Sequence, residues 1–366
     1  MSEQAVVNLS DGDRRALFLE AQKNTGMVAE MIEKDFWVCW ILRHLFDLPG
    51  AKDHFIFKGG TSLSKVWRVI QRFSEDIDIS LSREWLGFTG ARDPEQSKGK
   101  QRKRLLGLLS EACAARLQGE VTPALQGLMQ EQIGGRWSLE TNPHDAQTLL
   151  FAYPTVFETT AAPYVRRIVK IECGARSDRW PVSVGRVTSY VAEAFPDKLT
   201  DAGIDVPVLS IERTFWEKAS ILHAEAHRPL EKMIPDRYSR HYADVAALAN
   251  TASGDSAIQR DDLRARVVAH KQVFFPAVWS HTETAVPGTF GLCRRRSAQK
   301  FLPVTTPKCA TCSSVNRRRG PKFSMCWRPL KDGSTPHEIP RIPVDRAGSM
   351  SSLQVVRSLR LMKIED

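Results

Sequence analysis

The sequence predicts an α+β fold: a small mixed sheet with flanking helices, followed by a helical C-terminal domain. Three observations carry this expectation. Residues 55–81 read as strand, glycine turn, short helix and strand. Two more strand-like stretches follow, at 148–154 and 165–173. Helical spacing dominates at 10–23, at 27–46 and again at 207–250.

Taken in order, residues 10–23 open on capping residues and continue as helix formers. The helix at 27–46 places Ile32, Phe36, Trp40 and Ile41 or His44 on a buried face. Within it, Lys34 has two readings: an ammonium that reaches a phosphate, or a surface lysine beside an acidic neighbour, the second being preferred. Residues 47–54 turn into a core strand at 55–57, which ends at Gly59-Gly60. Leu63, Val66, Trp67 and Ile70 then recur as one helix face, with Thr61 and Ser62 placed to cap it. Ile77, Ile79 and Leu81 alternate with Asp76, Asp78 and Ser80, so a strand there carries both aspartates on one face.

After Leu81 a basic run (Lys98, Lys100, Arg102, Lys103, Arg104) leads into a helix at 105–117. It suits an RNA backbone or a solvated helix start equally well. Residues 121–150 read as helix plus loop. In the strand at 165–173, Val169, Ile171 and Cys173 share one face, Lys170 and Glu172 the other. Residues 181–201 continue the sheet and an exit loop. A helix over 207–227 has Ile211, Phe215, Ala219 and Leu222 facing a core, with Lys218 beside that stripe. The helix over 237–248 has Arg240 and Asp244 on one face. His223 and His227 have zinc-like spacing, but no third ligand accompanies them or His241, so surface or interhelical roles are expected.

Two carboxylates side by side repel unless a positive charge lies between them. A divalent cation such as Mg²⁺ (or Mn²⁺) is the usual partner, and it leaves positions open for substrate phosphates. Without side chains at Gly59 and Gly60, backbone N–H groups can approach a phosphate closely. A phosphate cradle followed by Asp-x-Asp is the minimum equipment for metal-assisted phosphoryl or nucleotidyl transfer.

Gly59-Gly60-Thr61-Ser62 followed by Asp76-Ile77-Asp78 resembles the paired signature of the polymerase-β-like nucleotidyltransferase superfamily. The leading Lys58 and Arg72-Phe-Ser-Glu-Asp-Ile-Asp78 are similar to the AbiEii/AbiGii-type nucleotidyltransferase toxins, MenT-like enzymes included. Glu33-Lys34-Asp35-Phe36-Trp37, Phe215-Trp216-Glu217-Lys218 and Arg237…Tyr242-Ala-Asp244-Val extend the resemblance over roughly residues 28–292. It implies transfer of a nucleoside monophosphate from an NTP to an acceptor, with the tRNA 3′ end expected, by the toxin of a toxin–antitoxin or abortive-infection system with a separately encoded antitoxin. It further implies Asp76, Asp78 and Glu172 as metal ligands and catalytic acids. Lys58, Gly59, Gly60, Thr61, Ser62 and Lys65 would bind the nucleotide. Lys218 would neutralise triphosphate charge, and Asp244 would orient catalytic groups or act as base. For Lys218 and Asp244 the alternative is a helix-surface ion pair, Lys218 with Glu217 or Glu225, or Arg240 with Asp244. Two other functions stay open: a non-catalytic nucleotide- or RNA-binding protein, and transfer to a protein or small molecule.

The chain has 366 residues, 42% hydrophobic and 26% charged, enough for a sizeable core and two domains. No apolar run is long enough to span a bilayer, and no signal peptide is evident, so a cytoplasmic protein is expected. The net charge of +10 belongs to residues 293–366, where 16 Lys/Arg face 5 Asp/Glu. The expected division is a core with N-terminal helices at 1–205, a helical domain at 206–292 and a basic tail at 293–366. Periodicity stops after Leu292. The tail reads as a disordered RNA-binding arm, as a zinc module on Cys293, Cys309, Cys312 and Cys326, or as a shifted reading frame. The last is preferred over the zinc module, since a one-base shift over 304–330 allows a family-like Gly-Glu-Pro-Pro ending.

Overall fold

The computed structural model describes residues 2–157, 166–199, 202–229, 231–235 and 237–292. The readings of the tail fall outside the described residues. The chain divides into two compact units, the first ending at Ser210 and the second starting at Ile211. Among the described residues no helix is long and apolar enough to cross a membrane.

The first unit is built on one seven-stranded mixed sheet, larger than the small sheet expected. Its strands are β1 (Phe55–Lys58), β2 (Asp76–Leu81), β3 (Ser138–Asn142), β4 (Asp145–Ala152), β5 (Ile168–Gly174), β6 (Val182–Val187) and β7 (Ile204–Leu209), in the order β3-β4-β5-β2-β1-β7-β6. The β2–β5 and β1–β7 pairs are parallel and the others antiparallel. Its helices are α1 (Glu3–Val7), α2 (Asp11–Thr25), α3 (Ala29–Asp47), α4 (Ala51–His54), α5 (Gly59–Lys65), α6 (Gly99–Arg116), α7 (Thr122–Gln132) and α8 (Tyr190–Ala194). The second unit holds α9 (Ile211–Ala226), α10 (Ser239–Ala249), α11 (Ala252–Gln259) and α12 (Asp261–Phe274).

Helix α3 is the spine of the first unit. The expected face of Ile32, Phe36 and Trp40 is buried, but so is every residue from Met31 to Leu42. A helix hydrophobic on all sides belongs in a core. Trp37 packs against Phe151 and Tyr153 at centroid distances of 5.9 and 6.0 Å, seating α3 on the apolar sheet face that also carries Val169 and Ile171. Glu33, Lys34 and Asp35 lie in the middle of this buried stretch. Lys34 is 1% exposed, which overturns the expectation of a surface lysine. Buried charges persist where they are paired and hydrogen-bonded, and each of these is. Glu33 accepts from Thr155 Oγ1 at 2.6 Å and from Val156 N at 2.7 Å. Lys34 Nζ lies 2.7 Å from Glu75 Oε2, and Asp35 lies 2.8 Å from Lys65 Nζ.

Four local expectations change. The helix after the glycines stops at Lys65, and Arg68 takes a left-handed backbone at φ 52°. Leu63 and Ile70 are both buried, so their spacing reflects a compact turn rather than a continuing helix. Residues 207–209 end β7 instead of starting a helix. Buried Ile204, Val206 and Val208 alternate there with exposed Asp205, a strand period that outweighs the preference of Pro207 for a helix start. The boundary expected at 205 therefore falls inside β7. The stretch read as helix plus loop contains α7, β3 and the first residues of β4. Helix α6 starts at Gly99, so the basic run lies in its first turns.

Burial raises the Glu33 carboxyl pKa to about 7, against the opposing hydrogen bonds from Thr155 and Val156. An acid whose folded pKa is raised holds its proton in the folded state at pH values where the unfolded chain has lost it. Stability therefore falls as pH rises from about 4.5 to about 7, by roughly 3 kcal/mol. Glu33→Gln, whose amide can satisfy the same two partners, should remove that part of the slope. Urea unfolding of both proteins across this pH range measures the difference.

Candidate active site

Asp76 and Asp78 reach the same sheet face because β2 alternates. Ile77 and Ile79 point into the core, and the two aspartates point the other way. Strand pairing assembles the rest. In the antiparallel β1–β2 pair Lys58 lies opposite Asp78, and in the parallel β2–β5 pair Glu172 lies opposite Asp78. Lys58, Asp78 and Glu172 therefore form one row across three strands. Lys170 lies opposite Asp76 in the next row. All five side chains share a face.

The charges on this face interact. Lys58 Nζ lies 3.9 Å from Asp78 Oδ1, and Lys170 forms an ion pair with Glu172. The Asp76 carboxyl is pushed above its ordinary range, first by burial and then by Glu75, Glu172 and Asp78, with Lys170 opposing. Its neighbours thus resist ionisation of Asp76. Among the described residues no three His, Cys, Asp or Glu side chains converge as a finished metal site. The donor set nonetheless suits a hard divalent cation: the oxygens are carboxylates, and their mutual repulsion is what such an ion relieves.

Gly59 has φ +80°, and a Cβ there would fall 1.9 Å from Asp78 Oδ2 and 2.6 Å from its Cγ. The start of α5 thus lies directly against the acid row. At Gly60 a Cβ would meet Ser74 Oγ at 2.8 Å and Arg72 Nη2 at 2.9 Å. Arg72 and Ser74 therefore belong to the site, although sequence spacing gave neither a role. The signal for them was the second glycine, which leaves room for a guanidinium.

Thr61 and Ser62 do not cap α5. Both are fully buried. Thr61 Oγ1 donates to the backbone carbonyl of Asp76 and lies 3.0 Å from Ser74 Oγ, while Ser62 Oγ donates to Gly59 O at 2.9 Å. The Thr61 hydroxyl ties the glycine turn to β2 from inside, and the Ser62 hydroxyl closes the turn on itself. Lys65 is equally internal: its ammonium is bonded to Asp35 and lies 3.5 Å from the centre of the Tyr190 ring. The structure thus brings Lys58, Gly59, Gly60, Asp76, Asp78 and Glu172 together on one surface, with Thr61, Ser62 and Lys65 behind it.

In the second unit, Lys218 Nζ and Asp244 Oδ2 are 2.8 Å apart and largely buried. The alternative surface pairings are not formed. Glu217 bonds Arg213, Glu225 bonds Arg228, and Arg240 Nε donates to Arg237 O. The two residues singled out by the resemblance are therefore each other's partners, across α9 and α10. His223 is buried, with Nδ1 accepting from Gly291 N at 3.0 Å and Nε2 facing His281 O at 3.0 Å. Burial lowers its pKa. With both nitrogens engaged, it is an interhelical residue, as expected, and not a ligand.

Gly59→Ala should destabilise the protein by about 1–2 kcal/mol for the left-handed backbone alone, and further for the overlap with Asp78. Thermal unfolding reads this. Lys218→Met and Asp244→Ala should each cost about 3–5 kcal/mol, since each removes one half of a buried ion pair. The double substitution should cost clearly less than the sum.

The family model described as nucleotidyl transferase AbiEii toxin, Type IV TA system, matches residues 40–307, well over half of the chain. No curated protein sequence matches. Among solved structures the chain is similar to MenT4, a nucleotidyltransferase toxin from Mycobacterium tuberculosis H37Rv. That match has 13% identity and a TM-score of 0.35, over 80% of this chain and 98% of that one. At that score the assignment rests on the family model. The chain belongs to the AbiEii family, the nucleotidyltransferase toxins of type IV toxin–antitoxin systems.

Proposed function

We propose that the chain moves a nucleoside monophosphate from an NTP to a hydroxyl of RNA, with the tRNA 3′ end as the first acceptor to test. The observation that carries this reading is the row of Lys58, Asp78 and Glu172, with Asp76 beside it and the Gly59 backbone against Asp78. Asp76, Asp78 and Glu172 would hold Mg²⁺ or Mn²⁺, which supplies charge neutralisation for phosphoryl chemistry. Glu172 would also take the acceptor proton. Gly59 and Gly60 open the backbone to the phosphates, and Lys58 and Arg72 add positive charge at that edge. Thr61, Ser62 and Lys65 contribute by fixing the turn. Lys218 and Asp244 keep the roles suggested by the family as one bonded pair.

RNA is favoured as acceptor by α6. Its first turns expose Lys98, Lys100, Lys103 and Arg104, with no acidic residue in the first turn. Cations there oppose the helix dipole and one another. Their placement is disfavoured for the helix alone and suits a phosphodiester backbone. An RNA acceptor puts the reaction in the cytoplasm, where a separately encoded antitoxin would restrain it.

Purified protein with Mg²⁺, total tRNA and each α-labelled NTP in turn should label RNA with one preferred nucleotide. Asp76→Asn and Asp78→Asn should each lower transfer by at least about a hundredfold. Asp76→Asn should also raise the melting temperature of metal-free protein, because it removes a repelled carboxylate. Label on protein or on a small molecule would move the acceptor class. Full activity in either variant would remove the metal assignment.

A further inference from the structure

The buried charges on α3 have no part in the chemistry above, yet they reach the elements that perform it. Neighbouring side chains on a helix point about 100° apart, so Lys34 and Asp35 leave α3 in different directions. Lys34 Nζ donates to Glu75 Oε2 at 2.7 Å and to Arg166 O at 2.8 Å. Glu75 immediately precedes Asp76. Arg166 lies just before β5, the strand that carries Glu172. Because β2 and β5 run parallel, their entrances are adjacent, and one ammonium joins them. Asp35 accepts from Lys65 and, at 2.6 Å, from the backbone N–H of Tyr190. Lys65 ends α5, the helix that opens with Gly59-Gly60.

We propose that Lys34 and Asp35 are positioning residues for nucleotidyl transfer: Lys34 sets the spacing of the two acid-bearing strands, and Asp35 sets the glycine turn. The inference rests on the reading of Asp76, Asp78 and Glu172 as cation ligands. Neither residue can touch a nucleotide without unpacking, since Lys34 and Asp35 are 1% and 2% exposed. Nor does bulk packing explain them. Apolar residues of similar volume replace buried ion pairs at little cost or with a gain. What a buried ammonium adds is direction, because its bonds fix two chain segments at set distances.

The test measures Mn²⁺ binding without nucleotide, by electron paramagnetic resonance, and the KM for NTP. It compares wild-type protein with Lys34→Met, Lys34→Arg, Asp35→Asn and Asp78→Asn. Lys34→Met makes the neighbourhood of Asp76 more negative, so a purely electrostatic role predicts tighter Mn²⁺ binding. Positioning predicts the opposite, a loss of about tenfold. Lys34→Arg keeps the charge but not the two short single-nitrogen bonds, and should weaken Mn²⁺ binding severalfold. Asp35→Asn should leave Mn²⁺ binding unchanged and raise the KM for NTP about tenfold.

A merely structural role lowers the folded fraction, which scales kcat and moves neither constant. Wild-type or tighter Mn²⁺ binding in folded Lys34→Met, or wild-type binding in Lys34→Arg, overturns the proposal for Lys34. An unchanged KM in Asp35→Asn overturns it for Asp35. If Asp78→Asn loses Mn²⁺ while the Lys34 variants keep it, the metal reading survives and this inference fails. Absence of Mn²⁺ binding in the wild-type protein sinks both.

Discussion

Like-charge repulsion on one sheet face is the constraint around which the first unit is arranged. Pairing of β1, β2 and β5 sets Asp78 beside Glu172, with Asp76 one row away. Such a row is disfavoured in a folded protein unless cations stand close by. Lys58 lies across from Asp78, Lys170 across from Asp76 and bonded to Glu172. Burial first, and then the residual repulsion, raises the Asp76 pKa. A face built this way gives up stability, the pattern found where strained or repelled groups gather at functional sites.

The same constraint accounts for α3. Acids that repel one another load the strands that carry them, and the backbone ladder and the packing of Ile77, Ile79, Val169 and Ile171 resist this. A second set of bonds, from a helix buried on all sides, fixes the strand entrances from the apolar face. Lys34 joins Glu75 to the start of β5, Asp35 fixes the end of α5, and Glu33 holds the chain leaving β4 through Thr155 and Val156. Three consecutive charges in a core are costly to desolvate, and each is offset by specific partners. The result is a rigid frame under a face that is itself electrostatically strained.

How much of this was legible in the sequence depends on how local each cause is. Asp76 and Asp78 could be placed because strand alternation is a property of six consecutive residues. Glu172 could be placed on a strand face for the same reason. Its position opposite Asp78 could not, because register is decided by the pairing of segments far apart in the chain. Lys34 was misjudged because hydropathy puts lysines outside, whereas its burial depends on Glu75 and Arg166. Pro207 read as a helix start because Pro favours that position, and the alternation around it was the weaker signal. Arg72 and Ser74 went unassigned because their tie to the site is a close approach to Gly60, which spacing does not encode.

Charge balance also constrains what the site can accept. Around the acid row, the carboxylates of Glu75, Asp76, Asp78 and Glu172 stand among Lys34, Lys58 and Lys170, with Arg72 close by against Gly60. These groups are close to neutral as a set, and Lys34, Lys58 and Lys170 already face an acid. Lys65 is likewise committed to Asp35. A triphosphate therefore finds little uncommitted positive charge among these lysines. Under the proposed function, a divalent cation held by the carboxylates supplies the positive charge that a triphosphate needs. Until then the lysines, each paired with an acid, hold the unloaded face together.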